Sequence, residues 1–252
     1  MHRQFRASVV EAVKLTEEIC SVGLKADDIG ASAVPGQFLH IRCGDANLLR
    51  RPISISDIRD GVMTIVFQVR GEGTKWLADR RAGDVLDVLG PLGNGFDLGG
   101  KNIILVGGGI GVPPMLFSAR AAAGRATALL GFRDKSCVIL NDAFKSFCQN
   151  VIIATDDGSC GVQGPVTLPL KKLLETGEYD AVLACGPRSM LRAVTELCIQ
   201  ATVPCQVSME ERMGCGIGAC LVCACRTIKD GREEMRHVCK DGPVFPASEV
   251  VW

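Results

Sequence analysis

The sequence predicts a multi-domain chain of β plus α/β class. It divides into an N-terminal antiparallel β-barrel over residues 1–98, a doubly wound parallel-sheet domain over 99–205, and a small cysteine-rich module over 206–252. Three observations carry this. Short apolar–polar alternations broken by Gly, Pro and Asp fill the first part. Strand and helix patterns alternate through the second. From Cys215 onward, five cysteines crowd a glycine-rich stretch and its return.

In the first part, residues 6–15, 37–43, 53–57, 62–69 and 84–89 alternate as strands do, and turns at Pro35-Gly36, Asp60-Gly61, Gly71-Glu-Gly73 and Gly90-Pro91 separate them. One helical stretch, 74–80, interrupts the series. Short strands at this spacing predict a small antiparallel barrel. In the second part, strands at 102–106, 127–130, 151–154 and 181–184 alternate with helices at 115–123, 141–148, 166–175 and 188–199. That order predicts a parallel sheet covered on both faces, with ligands at the carboxyl ends of its strands.

The third part carries the sharpest motif. Met209-Glu-Glu-Arg-Met-Gly-Cys215-Gly-Ile-Gly-Ala-Cys220-Leu-Val-Cys223 is followed by Cys239. The run C-x4-C-x2-C with a distant fourth cysteine is the plant-type [2Fe–2S] spacing. Three thiolates then come from one tight loop and the fourth from a returning strand. Gly214, Gly216 and Gly218 give the loop its conformational range and let backbone N–H groups approach the sulfurs. A structural zinc site more often uses two C-x2-C knuckles, and only one is present here. Cys225, two residues from Cys223 on an expected strand, faces away and is read as a spare thiol.

Two stretches of the barrel part also look chemical. Arg51-Pro52-Ile53-Ser54 sets a cation and a hydroxyl at strand spacing, which suits a flavin pyrophosphate and ring edge. Val66-Phe67-Gln68 runs into Gly71-Glu72-Gly73-Thr74, a strand entering a glycine turn where a second phosphate could sit. The same residues also fit a solvated strand start and an ordinary capped turn. In the second part, strand 102–106 enters Gly107-Gly108-Gly109-Ile110-Gly111-Val112-Pro113-Pro114 at a helix start, where a dinucleotide could approach the backbone closely. Cys185-Gly186-Pro187 has the same placement after strand 181–184 and is expected to line the same cleft. It equally fits a plain helix start with an incidental cysteine.

Composition narrows the classes. Lysine plus arginine equals aspartate plus glutamate, 28 against 28, so no general field draws nucleic acid or an anionic membrane. No apolar run approaches the roughly 18–20 residues of a membrane span. The start, Met1-His2-Arg3, leads into strand-like alternation rather than a signal peptide. Thirteen cysteines without an export signal point to a reducing cytoplasm.

The order of these motifs resembles the ferredoxin–NADP reductase superfamily and, within it, the electron-transfer subunits of type B dihydroorotate dehydrogenases. Thr155-Asp-Asp-Gly-Ser159 and Asp241-Gly-Pro-Val-Phe245 add to the likeness, which covers essentially the whole chain. The resemblance implies FAD held by Arg51, Pro52, Ile53, Ser54, Val66, Phe67, Gln68, Gly73 and Thr74. It implies NAD beside Gly107, Gly108, Gly109, Gly111, Cys185, Gly186 and Pro187, and a [2Fe–2S] cluster on Cys215, Cys220, Cys223 and Cys239. It further implies a separate FMN-containing catalytic subunit that oxidises dihydroorotate, joined with this chain in a heterotetramer and supplying electrons through the cluster and FAD to NAD⁺. Ile53 departs from the superfamily, where a tyrosine often packs on the flavin.

No catalytic residue of the chain's own is expected, and His40 and His237 are read as structural. Met213 and Ile217 are expected to dock the partner. Arg133 and Asp134, after strand 127–130, leave NAD against NADP open. Two alternatives stand beside this reading. One is a related NAD(P)H–ferredoxin or sulfide oxidoreductase subunit, whose tail often has aspartate for one cysteine. The other is a non-catalytic regulator holding a nucleotide and zinc.

Overall fold

The computed structural model describes residues 3–25 and 32–252. Six strands close the barrel in the order β1-β2-β5-β4-β3-β6: β1 Arg3–Lys14, β2 Ile19–Lys25, β3 Phe38–Ile41, β4 Arg51–Arg59, β5 Val62–Gln68 and β6 Val85–Leu92. Closure removes the sheet edges that an open meander would expose. β6 alternates strictly between buried and accessible positions, with Leu86, Val88 and Leu92 buried. Leu39, Ile41, Ile55, Ile65 and Phe67 join them inside. Helix α1, Glu72–Ala78, plugs the barrel with Leu77.

The second sheet has seven strands in the order β10-β9-β8-β7-β11-β12-β15. Its centre is β7, Ile103–Gly108, buried at every position. β8 Ala126–Phe132 and β11 Ala181–Cys185 flank it in parallel. β9 Asn150–Thr155, β10 Val162–Gln163 and β12 Cys205–Ser208 extend the parallel run, and β15 Val244–Pro246 pairs antiparallel with β12. A continuous apolar strand such as 103–106 is what a sheet covered on both faces requires. The covering helices are α2 Val112–Ala121, α3 Asn141–Lys145, α4 Thr167–Leu174 and α5 Arg188–Ala201. In α5 the buried residues Leu191, Val194, Thr195 and Cys198 recur at helical spacing, one stripe against the sheet.

The cysteine-rich part forms a hairpin, β13 Ala224–Lys229 with β14 Arg232–His237, and then returns through β15 to the second sheet. β12 and β15 therefore tie residues 206–252 to the nucleotide-type domain rather than leaving a separate bead. The barrel is fastened to that domain by β4 against α2. The Ser56 hydroxyl donates to the Pro113 carbonyl at 3.0 Å. Arg120 grips Asp57 with two bonds of 2.6 and 2.5 Å, and its guanidinium lies over Phe147 at 4.4 Å. A bidentate pair of this kind fixes direction as well as distance.

Candidate functional site

Three glycine-rich loops and one strand pair meet where the barrel, the parallel sheet and the cysteine loop adjoin. The barrel contributes first. The β4–β5 ladder runs from Arg59–Val62 to Ile55–Ile65 and stops there, since β4 then pairs with β3. Arg51, Pro52, Ile53 and Ser54 thus part from Val66, Phe67 and Gln68, whose backbone groups have no ladder partner on that side. Phe67 points into the barrel core and Ile53 leans partly on it, so those two side chains build the wall and only their backbones face the gap. The Gln68 amide is held between Glu18, at 2.8 Å, and Arg70, at 2.9 Å.

Arg51 crosses from β4 to α1. Its guanidinium lies so close over Gly73 that a Cβ there would meet Nε at 2.5 Å. It donates to Asn47 Oδ1 at 3.2 Å and to the Leu49 carbonyl, and among the described residues no carboxylate neutralises it. A half-buried cation laid against a glycine, with no acidic partner, fits a diphosphate. The Thr74 hydroxyl accepts from Arg70 and Gly71 N–H, at 2.9 and 3.1 Å, and donates to the Gly71 carbonyl at 3.0 Å. It is fully used in shaping the turn.

The parallel sheet contributes two touching loops. Gly107 pairs with Cys185 across β7 and β11, so the loops leaving those strands start side by side. A Cβ on Gly111 would meet the Cys185 carbonyl carbon at 2.5 Å and Gly186 N at 2.6 Å, and one on Gly108 would meet Pro187 and Met190. Gly109, with φ +54, faces open space. Val66 packs into the same buried cluster as Val112, which brings the end of the flavin-type strand to the start of α2. Cys185 is half-buried; burial pushes its thiol up to about 12, against the opposing Ser208 hydroxyl, and Glu210 adds to the rise. It is a neutral thiol, not a nucleophile. Ser208 and Glu210 carry no motif that would single them out; only the β11–β12 pairing brings them here.

Arg133 and Asp134 form an exposed pair of 3.0 Å at the end of β8, and Asp134 also accepts from Ser136 N at 2.9 Å. These contacts, Ser136 first, hold the Asp134 carboxyl down at about 2.

The cysteine loop completes the site. Cys215 Sγ accepts backbone N–H from Ile217, Ala219 and Cys220 at 3.4, 3.2 and 3.3 Å. Cys239 Sγ accepts from Gly218 at 3.1 Å, Cys220 Sγ from Cys215 at 3.3 Å, and Cys223 Sγ from Cys239 at 3.4 Å. Gly216 and Gly218, at φ +75 and +81, turn the chain through the left-handed region that points these N–H groups inward. Burial would raise the Cys215 thiol, but the N–H groups of Ile217, Cys220 and Ala219 together outweigh it and bring it down to about 6.

Backbone N–H bonds link the cysteines as two pairs, Cys215 with Cys220 in both directions and Cys239 with Cys223. Among the described residues no three His, Cys, Asp or Glu side chains close around a single ion. Two thiolates for each of two irons fit that pairing. Cys225 is buried on β13 opposite Arg236 and stays outside the set. Cys239 lies in the turn after β14 rather than within the strand. Met213 packs against the core, so the exposed apolar residues of the loop are Ile217, Leu221 and Val222 instead.

The cysteine loop is seated on the barrel at two points. Asn94, just past β6, donates its backbone N–H to the Gly242 carbonyl at 2.6 Å and its side-chain amide to the Asp241 carbonyl at 3.0 Å. His40, in β3, lies under Gly216. Burial, then Arg50, pushes His40 down to about 4, so the ring is neutral.

Comparison with known proteins agrees with this geometry. Residues 210–251 match the family model described as the iron-sulfur cluster binding domain of dihydroorotate dehydrogenase B. A protein of Caldanaerobacter subterraneus subsp. tengcongensis named dihydroorotate dehydrogenase B (NAD(+)), electron transfer subunit, is 40% identical over 254 residues, covering 100% of both chains. One of the same name from Desulforamulus reducens is 39% identical over 261 residues, again covering 100% of both. Among solved structures, that of an NADH-dependent reduced ferredoxin-NADP oxidoreductase superposes with a TM-score of 0.86 at 31% identity, covering 98% of this chain and 90% of the other. Likeness of this degree over the full length, together with the paired cysteines, places the chain in the family of dihydroorotate dehydrogenase B electron transfer subunits.

Proposed function

We propose that this chain is the electron transfer subunit of an NAD-dependent dihydroorotate dehydrogenase. It takes electrons from the FMN of a catalytic partner and delivers them, by way of a [2Fe–2S] cluster and FAD, to NAD⁺. The observation that carries the reading is the two-and-two pairing of four cysteine sulfurs under inward backbone N–H groups, seated on the barrel wall. All four ligand positions being cysteine also favours it over a ferredoxin or sulfide oxidoreductase tail with an aspartate ligand.

Flavin is the group that can exchange single electrons with iron–sulfur on one side and a pair with nicotinamide on the other. The chain's own residues bind, orient and exclude water. Arg51 holds the flavin diphosphate, and Gly73, lacking a Cβ, lets its guanidinium lie against α1. The free backbone edge of 66–68 and the Ser54 hydroxyl grip the flavin ring. Gly107, Gly108, Gly109, Gly111, Gly186 and Pro187 bring NAD close to the backbone, and Cys185 packs as a neutral thiol where the two loops meet. Cys215, Cys220, Cys223 and Cys239 hold the cluster. The anionic Asp134 favours a free ribose hydroxyl over a phosphate, consistent with NAD. No residue need act as acid or base, because dihydroorotate is oxidised on the partner.

We read the chain as units 1–98, 99–205 and 206–252, the third sharing the second's sheet. No helix among the described residues is long and apolar enough to cross a membrane. Thirteen cysteines, all free, suit a reducing cytoplasm. The partner, a heterotetramer with it, meets the chain at the cluster loop, where Ile217, Leu221 and Val222 are 46%, 59% and 56% exposed.

Leu221→Asp tests the docking. Leu221 sits at φ 62, a conformation aspartate tolerates better than leucine, so the backbone is spared. Assayed with the FMN subunit, the variant should lose about tenfold or more in dihydroorotate-dependent NAD⁺ reduction, the effect of a hot spot worth roughly 2 kcal/mol. NADH-to-dye activity should stay near wild type. Equal loss of both activities would count against this face.

A further inference from the structure

His40 is the least explained buried group in the molecule. It is 0% exposed, and both Nδ1 and Nε2 are sealed from solvent without a hydrogen-bond partner. The Arg50 and Cys215 backbones lie beside the ring, and neither gives it a hydrogen bond. Buried imidazoles are normally satisfied, and an apolar side chain would fill the same space without stranding two nitrogens. A polar ring in such a place asks for a reason.

Its neighbours supply one. On one side His40 stands directly across the ladder from Pro52, within the strand stretch that parts from β5 and carries Arg51 and Ser54. Directly opposite residues in an antiparallel pair share a face, with Cβ atoms about 5 Å apart. On the other side the ring supports the cluster loop so closely that a Cβ on Gly216 would come within 2.6 Å of Nδ1. Gly216 is thus glycine for two reasons: its left-handed φ and the imidazole beneath it. One ring spans the gap between the flavin strand and the first cluster cysteine.

We propose that His40 is a positioning residue whose ring, wedged beneath Gly216, holds the 215–220 loop at a fixed separation from β4. The inference rests on the functional reading above. Electron exchange between the two groups depends on their separation, and displacements of about 1 Å at a reacting site can cost up to about 100-fold.

The test uses the full chain, purified anaerobically, as wild type, His40→Leu and His40→Gln. FAD and iron are quantified, NADH is mixed in, and the bleaching of flavin and cluster bands is followed separately. The EPR spectrum of the dithionite-reduced cluster is recorded alongside. His40→Leu should keep FAD and iron, reduce its flavin at the wild-type rate, bleach its cluster about tenfold more slowly and show an altered EPR line shape. His40→Gln, which keeps a planar polar group in place of the ring, should recover most of the cluster rate. Cluster bleaching at the wild-type rate in His40→Leu, or slowing of flavin and cluster in equal proportion, would overturn the assignment. If His40→Leu does not fold, His40→Ala takes its place under the same two criteria. Wild-type protein without iron or flavin would defeat the functional reading itself, a different failure from a loaded wild type matched by its variant.

Discussion

Cys223→Ser is expected to strip the cluster while leaving the flavin half of the chain at work. Cys223 is 1% exposed, its sulfur accepts the Cys239 N–H at 3.4 Å, and it pairs with the Cys239 sulfur. Serine offers a shorter, harder oxygen that is not ionised at neutral pH, in a pocket shaped for sulfur. Loss of a second-shell partner at a metal site typically costs 10–100-fold in affinity, so loss of a ligand should exceed about 100-fold. Iron should fall to background, and dihydroorotate-dependent NAD⁺ reduction should fall by more than about 100-fold. NADH-to-dye activity should be retained, because β4, β5 and the glycine loops are elsewhere. Cys225→Ser is the control: it lies two residues away, is equally buried, and should keep its iron. Iron retained in Cys223→Ser, or lost in Cys225→Ser, would mean that the ligand set is wrong.

Gly111→Ala should close the nicotinamide cleft from the other side. The residue's φ of −79 is ordinary, so alanine brings no backbone strain. The cost is contact: the added methyl would meet the Cys185 carbonyl carbon at 2.5 Å and Gly186 N at 2.6 Å. Both are backbone atoms at the ends of central strands and have no rotamer to swing away. The two loops must separate, and with them the groups that place nicotinamide against flavin. NADH-dependent flavin reduction should drop about 100-fold with FAD content unchanged. Gly109→Ala offers the contrast, since nothing lies within 4 Å of a Cβ there and its φ of +54 brings only local strain. A Gly111→Ala protein with wild-type kinetics would show that these loops do not form the cleft.

Much of this site is legible in the sequence because its parts are local. A cysteine spacing, a glycine run leaving an apolar strand and an arginine three residues before a strand serine each sit within a few residues of chain. What the sequence hides depends on pairing between distant segments. β2 escaped because Gly23 breaks its alternation, yet that glycine is there to let Glu11 and Val62 pack across the strand. β12 and β15 are only four and three residues long, and their pairing joins positions some forty residues apart. α3 was expected to run to 148 and ends at Lys145, since Leu140 in a left-handed conformation starts a short turn rather than a full helix. α2 starts at Val112, earlier than expected, because Pro113 and Pro114 fit its first turn.

The same limit applies to side chains. His40 reads as one more strand residue until β3 is placed beneath Gly216, and Asn94 reads as a turn residue until it binds the Asp241 carbonyl. Phe67 and Ile53 belong to motif stretches, but strand alternation turns Phe67 into the barrel core and leans Ile53 against it. Their part is to shape the wall, and only the register decides it.

The most direct test of the central claim is the visible spectrum of the anaerobically purified chain, with FAD, iron and sulfide quantified, before and after NADH. The account predicts one FAD and a two-iron cluster per chain, with both sets of bands bleached by NADH. Zinc in place of iron, or flavin that NADH leaves oxidised, would contradict it.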